Sequence, residues 1–164
     1  LARWYLEGAG RPVELHAFGN SRDASRPGLY DNFSAVFRYA NGSYAVVSQT
    51  LAAFEHHQTV KVSGTRGALW AGWSGALDRT LEPTFFLKVF DGQNLENVSL
   101  ARHSGEVFEL REQIDRCVRM VRGEAPPAAT GEDGVWSAGL CLLAEESIRQ
   151  GRPLPVPDLA EGLA

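Results

Sequence analysis

The stretch FEHHQ, Phe54 to Gln58, sets two adjacent imidazoles behind a carboxylate at the end of a run that reads as a half-buried β-strand. Three chemistries use such residues: metal ligation, general-base catalysis, and hydrogen bonding to a polar substrate. A neutral imidazole both donates and accepts, which suits the hydroxyl groups of a carbohydrate-like molecule. Metal ligation fits less well. Adjacent strand residues point to opposite faces, and no third ligand stands at a suitable spacing. A small hydrolase built on Glu55 with His56 or His57 lacks a nucleophile of the G-x-S-x-G kind. A solvated strand end accounts for the same residues with no chemistry at all. Of the other histidines, His16 reads as a strand residue and His103 as part of a connection.

The elements that must hold this segment come from a chain of 164 residues, long enough for one domain with a real core. An apolar share of 44 % and four tryptophans exclude a disordered chain. The formal charge of −4 is scattered and forms no basic stripe, so nucleic acid is not an expected partner. No apolar run has the roughly 20 residues that cross a bilayer, and no signal peptide opens the chain. Cys117 and Cys141 make no CxxC and read as buried free thiols in a reducing, cytoplasmic setting. Trp4, Trp70 and Trp136 read as core, with Trp73 at core or rim.

Leu1, Trp4 and Tyr5 have the spacing of a helix face, with Gly8 placed to stop it. Nothing caps the first N–H groups of that helix, so residue 1 reads as an internal position of a larger protein. Strands follow. Val13–Phe18 alternates weakly. Asn41-Gly42 predicts a two-residue turn, with Tyr39 opposite Tyr44, Phe37 opposite Val46 and Ala35 opposite Ser48. One hairpin face then carries Phe33, Ala35, Phe37, Tyr39, Tyr44 and Val46, and the other Val36, Ala45 and Val47. Since neither face is purely polar, both are expected to be covered. Two more hairpins turn at Gly64–Gly67 and Asp91-Gly92. Beyond His103 the period becomes helical, with a stripe of Val107, Leu110, Ile114, Cys117, Val118 and Val121 that ends at Gly123. Thr130 and Asp133 form a capping-box pattern ahead of a second helix, closed by Gly151 and Pro153. Strands first and helices afterwards predict an α+β domain: one large, open, mainly antiparallel (mixed) sheet with two C-terminal helices on one face.

These elements, taken in order, resemble the C-terminal domain of the Gfo/Idh/MocA oxidoreductases, the family of glucose–fructose oxidoreductase and inositol dehydrogenase. The likeness covers nearly the whole chain. It rests on the NG hairpin, on VKVSGTRGAL with Gly64 to Leu69, and on GEDGVWSAGLCLLAEESIRQGRPLPV, with Asp133-Gly134, Glu146-Ser147 and Gly151-Arg152-Pro153. The opening LARWYLEG resembles the family's helix after its catalytic His/Asp motif, which makes residues 1–8 the end of an interdomain helix and residues 1–164 a single substrate and oligomerisation domain.

The resemblance implies a dehydrogenase that uses NAD or NADP on a sugar, a polyol or a related hydroxy compound. It also implies that the nucleotide-binding Rossmann domain lies outside this chain. Gly8-Ala9-Gly10 and Gly72-Trp73-Ser74-Gly75 do not match its glycine loop, and Lys61 and Lys88 stand mid-strand rather than in an E-K-P motif. No catalytic, cofactor-binding or metal-binding residue is therefore assigned, and the chain alone is expected to be inactive. By the same resemblance Phe54, Glu55, His56 and His57 lie beside the substrate, Asp133 has a place near the cleft besides its capping role, and the open sheet face joins subunits into a dimer or tetramer. A non-catalytic binding or assembly module built on the same sheet is the alternative.

Overall fold

A computed structural model of the chain describes residues 1–51, 56–74, 84–99 and 106–161, so Phe54, Glu55 and His103 lie outside the described residues, as does the side chain of Val107. The fold is α+β. Helix α1 (Ala2–Tyr5) and a 3-10 turn (Glu7–Ala9) lead into strands β1 (Pro12–Asn20), β2 (Asn32–Tyr39) and β3 (Tyr44–Thr50). Then come β4 (His57–Gly64), β5 (Gly67–Ser74), β6 (Phe85–Phe90), β7 (Leu95–Asn97), helices α2 (Glu106–Val121) and α3 (Gly131–Gln150), and β8 (Leu154–Pro155). The strands form two antiparallel four-stranded sheets, β3-β2-β1-β8 and β4-β5-β6-β7, where the sequence predicted one large sheet. The break falls between β3 and β4, which are neighbours in sequence but not in hydrogen bonding. The sheets belong to two compact units, Leu1–Ala52 with Ala128–Ala164, and Ala53–Pro127.

In the first unit α3 lies along one sheet face. Trp136, Leu140 and Ala144 recur at helical spacing and meet Leu15, Ala17 and Ala35, with Phe37, Leu143 and Ile148 packed around them. Ser147 continues the stripe, fully buried, and joins the two layers. Its hydroxyl accepts the Ala17 N–H at 3.0 Å and donates to the Arg152 carbonyl at 2.8 Å. The predicted capping box is present. Thr130 Oγ1 accepts from the Asp133 N–H at 3.2 Å, and Asp133 Oδ2 accepts from the Thr130 N–H at 2.9 Å. Gly151 closes the helix in the left-handed conformation.

The first hairpin departs from its predicted register by one residue. Arg38 stands opposite Tyr44, Val36 opposite Val46, Phe37 opposite Ala45, and Ala35 opposite Val47. Its loop has three residues rather than two. The Gly42 N–H bonds the Tyr39 carbonyl at 3.1 Å, the Tyr39 N–H bonds the Ser43 carbonyl at 2.9 Å, and Gly42 has φ +86°. This is a type I turn closed by a glycine bulge, helped by Asn41 Oδ1, which accepts the Ser43 N–H at 3.0 Å. A one-residue shift turns every β3 side chain over. Ala45 and Val47 therefore join the helix-covered face, while Tyr44 and Val46 join Val36 on the opposite one.

In the second unit Val60, Val62, Leu69, Ala71, Leu87 and Val89 share one sheet face, and Lys61, Trp70 and Lys88 stand in a row on the other. Trp70 is thus exposed rather than core. Both ammonium groups approach its ring, at 4.5 Å and 5.3 Å from the centroid. Trp4 is exposed as well, whereas Trp136 is core as predicted. Cys117 and Cys141 are exposed, contrary to their predicted burial. Every described side chain of α2 is exposed, Cys117 among them, and Cys141 stands one step round the helix from the buried Leu140. No helix among the described residues is long and apolar enough to cross a membrane.

Candidate functional site

The first unit contains a cleft of ≈ 960 Å³ between α1, the helix-covered face of β2 and β3, and α3. That is ample for a small organic molecule. Phe33, Phe37 and Val47 from the sheet and Leu140 and Ile148 from α3 give it apolar walls. Polar groups enter from three elements: Arg3 from α1, Tyr39 and Gln49 from the hairpin, and Asp133 and Glu145 from α3. The tight turn places Tyr39 on the covered face, and the capping box fixes Asp133 at the start of α3.

Arg3 connects these groups. Its guanidinium lies 3.5 Å from Asp133 Oδ1 and stacks 5.3 Å above the Trp136 ring. Arg11 stacks on the same indole at 4.9 Å and is itself tied to Asp158 at 2.6 Å and Glu132 at 3.0 Å. The two guanidinium groups and their acids thereby clasp α1 and the start of β1 to the first turn of α3. The indole Nε1 of Trp136 is buried with no hydrogen-bond partner. Hydrogen bonds from the Thr130 backbone and hydroxyl, with the Arg3 charge beside them, hold the Asp133 carboxyl below the usual range. Burial raises the Tyr39 phenol, and the Arg3 charge offsets part of that rise.

The segment singled out by sequence lies in the second unit. His56 is half-buried, its ring 5.2 Å from that of Trp73 in an edge-on contact. His57 opens β4 opposite Ser74 and is exposed. Phe54 and Glu55 lie outside the described residues. Among the described residues no three His, Cys, Asp or Glu side chains are grouped to hold a metal. Sequence reasoning gave Asp133 a possible cleft role but passed over Arg3, Tyr39 and Gln49. Tyr39 read as one more apolar-face residue, and only the observed burial singles out its hydroxyl.

Gly10 has φ +79° and leads into β1, not into a helix. At Gly72, within β5, an added Cβ would lie 2.6 Å from Phe86 Cε1, so the space is already filled.

Residues 1–70 match the GFO/IDH/MocA C-terminal domain. Solved structures that share the fold include three oxidoreductases. The aldose-aldose oxidoreductase of Caulobacter crescentus, complexed with glycerol, has a TM-score of 0.68 and 20% identity, over 94% of this chain and 44% of that one. The WlbA dehydrogenase of Bordetella pertussis, in complex with NADH and UDP-GlcNAcA, has a TM-score of 0.63 and 20% identity, over 96% of this chain and 41% of that one. A levoglucosan dehydrogenase, in complex with NADH and L-sorbose, has a TM-score of 0.71 and 16% identity, over 92% and 47%. The chain thus spans less than half the length of each. No curated protein matches its sequence.

Proposed function

We propose that this chain, whose opening matches a Gfo/Idh/MocA C-terminal domain, is the substrate-shaping and subunit-joining domain of a cytoplasmic NAD(P)-dependent dehydrogenase. Its substrate is a sugar, a polyol or a related hydroxy compound. The observation that carries the reading is one of proportion: the fold matches nearly all of this chain and less than half of each oxidoreductase. Residues 1–164 then act as one domain, with residues 1–8 ending a helix from the nucleotide-binding domain. That second domain holds the NAD or NADP. Four oxidoreductases of this fold were crystallised with NADH or NAD+. Glycerol, L-sorbose and UDP-GlcNAcA in such structures support the substrate class.

In this reading Phe54, Glu55, His56 and His57 border the substrate, and the two imidazoles hydrogen-bond its hydroxyls. The full-length protein should reduce NAD+ or NADP+ in the presence of at least one member of a panel of aldoses, polyols and hydroxy acids. His56→Ala and His57→Ala should each lower kcat/KM by about 1–3 kcal/mol in transition-state terms and leave nucleotide affinity unchanged. A full-length protein inert toward the whole panel with both nucleotides would overturn the dehydrogenase reading. It would favour the non-catalytic assembly module, for which the apolar outer face of the first sheet already speaks.

A further inference from the structure

Helix α2 carries an apolar seam that the described chain does not cover. Leu110, Ile114, Cys117 and Val121 follow one another at steps of four, three and four residues, the spacing by which one helix packs along another. Val118 widens the stripe. Leu110 and Ile114 are each 53% exposed, and Val121 is 82% exposed. A helix of 16 residues takes most of its stability in water from a packed apolar face, and α2 has none among the described residues.

Its charges select what covers the seam. Over residues 106–122, four carboxylates (Glu106, Glu109, Glu112, Asp115) and four guanidiniums (Arg111, Arg116, Arg119, Arg122) cancel. A membrane-surface helix carries an excess of basic residues, and a charged peptide needs a surface of the other sign. Neither suits a neutral helix. The order of the charges suits a copy of itself. All four acids precede Arg116, and three of the four arginines follow Asp115. A parallel copy would set like charges side by side, whereas an antiparallel one sets the acidic half along the basic half. That order also suits the dipole of α2 itself, so the residues bordering the seam decide. At the helical repeat, Arg111 and Asp115 lie on one border of the stripe, Gln113 and Met120 on the other. The two-fold axis of an antiparallel pair lays each border against its own reversed copy. Arg111 then meets Asp115 of the second copy, and the same contact recurs by symmetry. The uncharged border meets itself without repulsion.

We infer that α2 is a pairing surface for a second copy of this chain, antiparallel, with the seam buried and two Arg111–Asp115 ion pairs closing one side. The surface lies in the second unit, apart from the outer face of the first sheet, and none of its observations uses the dehydrogenase reading. About four turns of helix bury less than the roughly 1,200 Å² of a stable complex. The contact is therefore weak alone and adds to subunits brought together elsewhere.

The test is cross-linking of the full-length protein with bismaleimidohexane at hundreds of micromolar, read by mass spectrometry of the linked peptides. Cys117 is exposed on the seam, and a link between two Cys117 residues forms only between chains. The parent should give that link. Arg111→Asp and Asp115→Arg each set like charges together at both symmetric contacts, and each should lower its yield about five- to ten-fold. An equimolar mixture of the two variants should restore the yield, since each supplies the charge the other lacks. Mixing would not repair a helix that had merely lost stability. Absence of the Cys117 link in the parent, parent-like yield in both single variants, or a mixture as low as the single variants would overturn the inference. Absence of the link together with flotation on phosphatidylglycerol vesicles would overturn it too, and would give the seam to a membrane surface.

Discussion

Ser147 shows how one residue can tie a helix to a sheet. The Ala17 N–H lies in a stretch of β1 that β8 does not reach, since β8 pairs only with Glu14 and Leu15. Without the serine that donor would be buried and unpaired. Ser147→Ala should therefore destabilise the protein by about 1–3 kcal/mol, the cost of an orphaned buried group, as read from urea unfolding. A change below a few tenths of a kcal/mol would mean that water reaches the Ala17 N–H. Asp133 acts at the same scale through charge. Its folded pKa is lowered, chiefly by the Thr130 hydrogen bonds, so the ionised form is the one the fold favours. The resulting stability is present above the ordinary carboxylate pKa of about 3.9 and is lost as the pH falls through the lower folded value. Asp133→Asn should flatten that part of the acid limb in a series of thermal melts below pH 5. An acid limb identical to the parent's would assign the pH dependence to other carboxylates.

At the scale of elements, the turns explain both what was legible in the sequence and what was not. Gly64-Thr65-Arg66-Gly67 predicts a hairpin, and β4 and β5 pair on either side with Gly64 opposite Gly67. Gly67 is also needed for space, since a Cβ there would sit 2.1 Å from the Phe90 carbonyl oxygen on the neighbouring strand. Gly67→Ala should force β5 and β6 apart and destabilise the second unit by about 1–3 kcal/mol, the range for overpacking a tight contact. Amide exchange along β6 would report it, and unchanged protection there would show that the backbone yields freely. Asn41-Gly42 was equally visible as a turn, yet its register was not. The same dipeptide closes a two-residue loop or ends a three-residue bulged one, and composition does not choose between them. The helices were legible from their caps: Thr130, Asp133 and Gly151 all act as the sequence suggested. Burial of single helix residues was not, because Cys141 and Leu140 differ by one step around α3 and only packing decides which of them turns inward. The candidate cleft was hidden for a similar reason, since it joins Arg3, Tyr39 and Asp133 from three distant parts of the chain.

At the scale of the whole molecule, the corrected register sharpens the expectation of assembly. On the first sheet's outer face β1 contributes His16 and Phe18, β2 contributes Val36, and β3 contributes Tyr44 and Val46. Phe18 is 63% exposed, Val46 58% and Tyr44 67%, which makes an apolar strip across three strands on the side away from α3. His16 Nε2 lies within the strip, buried and without a partner. Exposed apolar surface of this extent is unusual on a protein that stays alone in water. The Glu14–Arg38 pair at 3.0 Å lies on the same face and supplies a polar rim. A two-fold partner packing sheet on sheet would cover the strip with its own copy, as closed symmetric dimers do. Val46→Lys together with Phe18→Glu should then give a soluble monomer with unchanged circular dichroism, because neither side chain contributes to the α3-covered core. Substitution of Val47 on the opposite face should destabilise folding instead. Light scattering at tens of micromolar is the measurement. A parent protein of monomeric mass, or a double variant with the parent's oligomeric mass, would remove this face as the subunit interface.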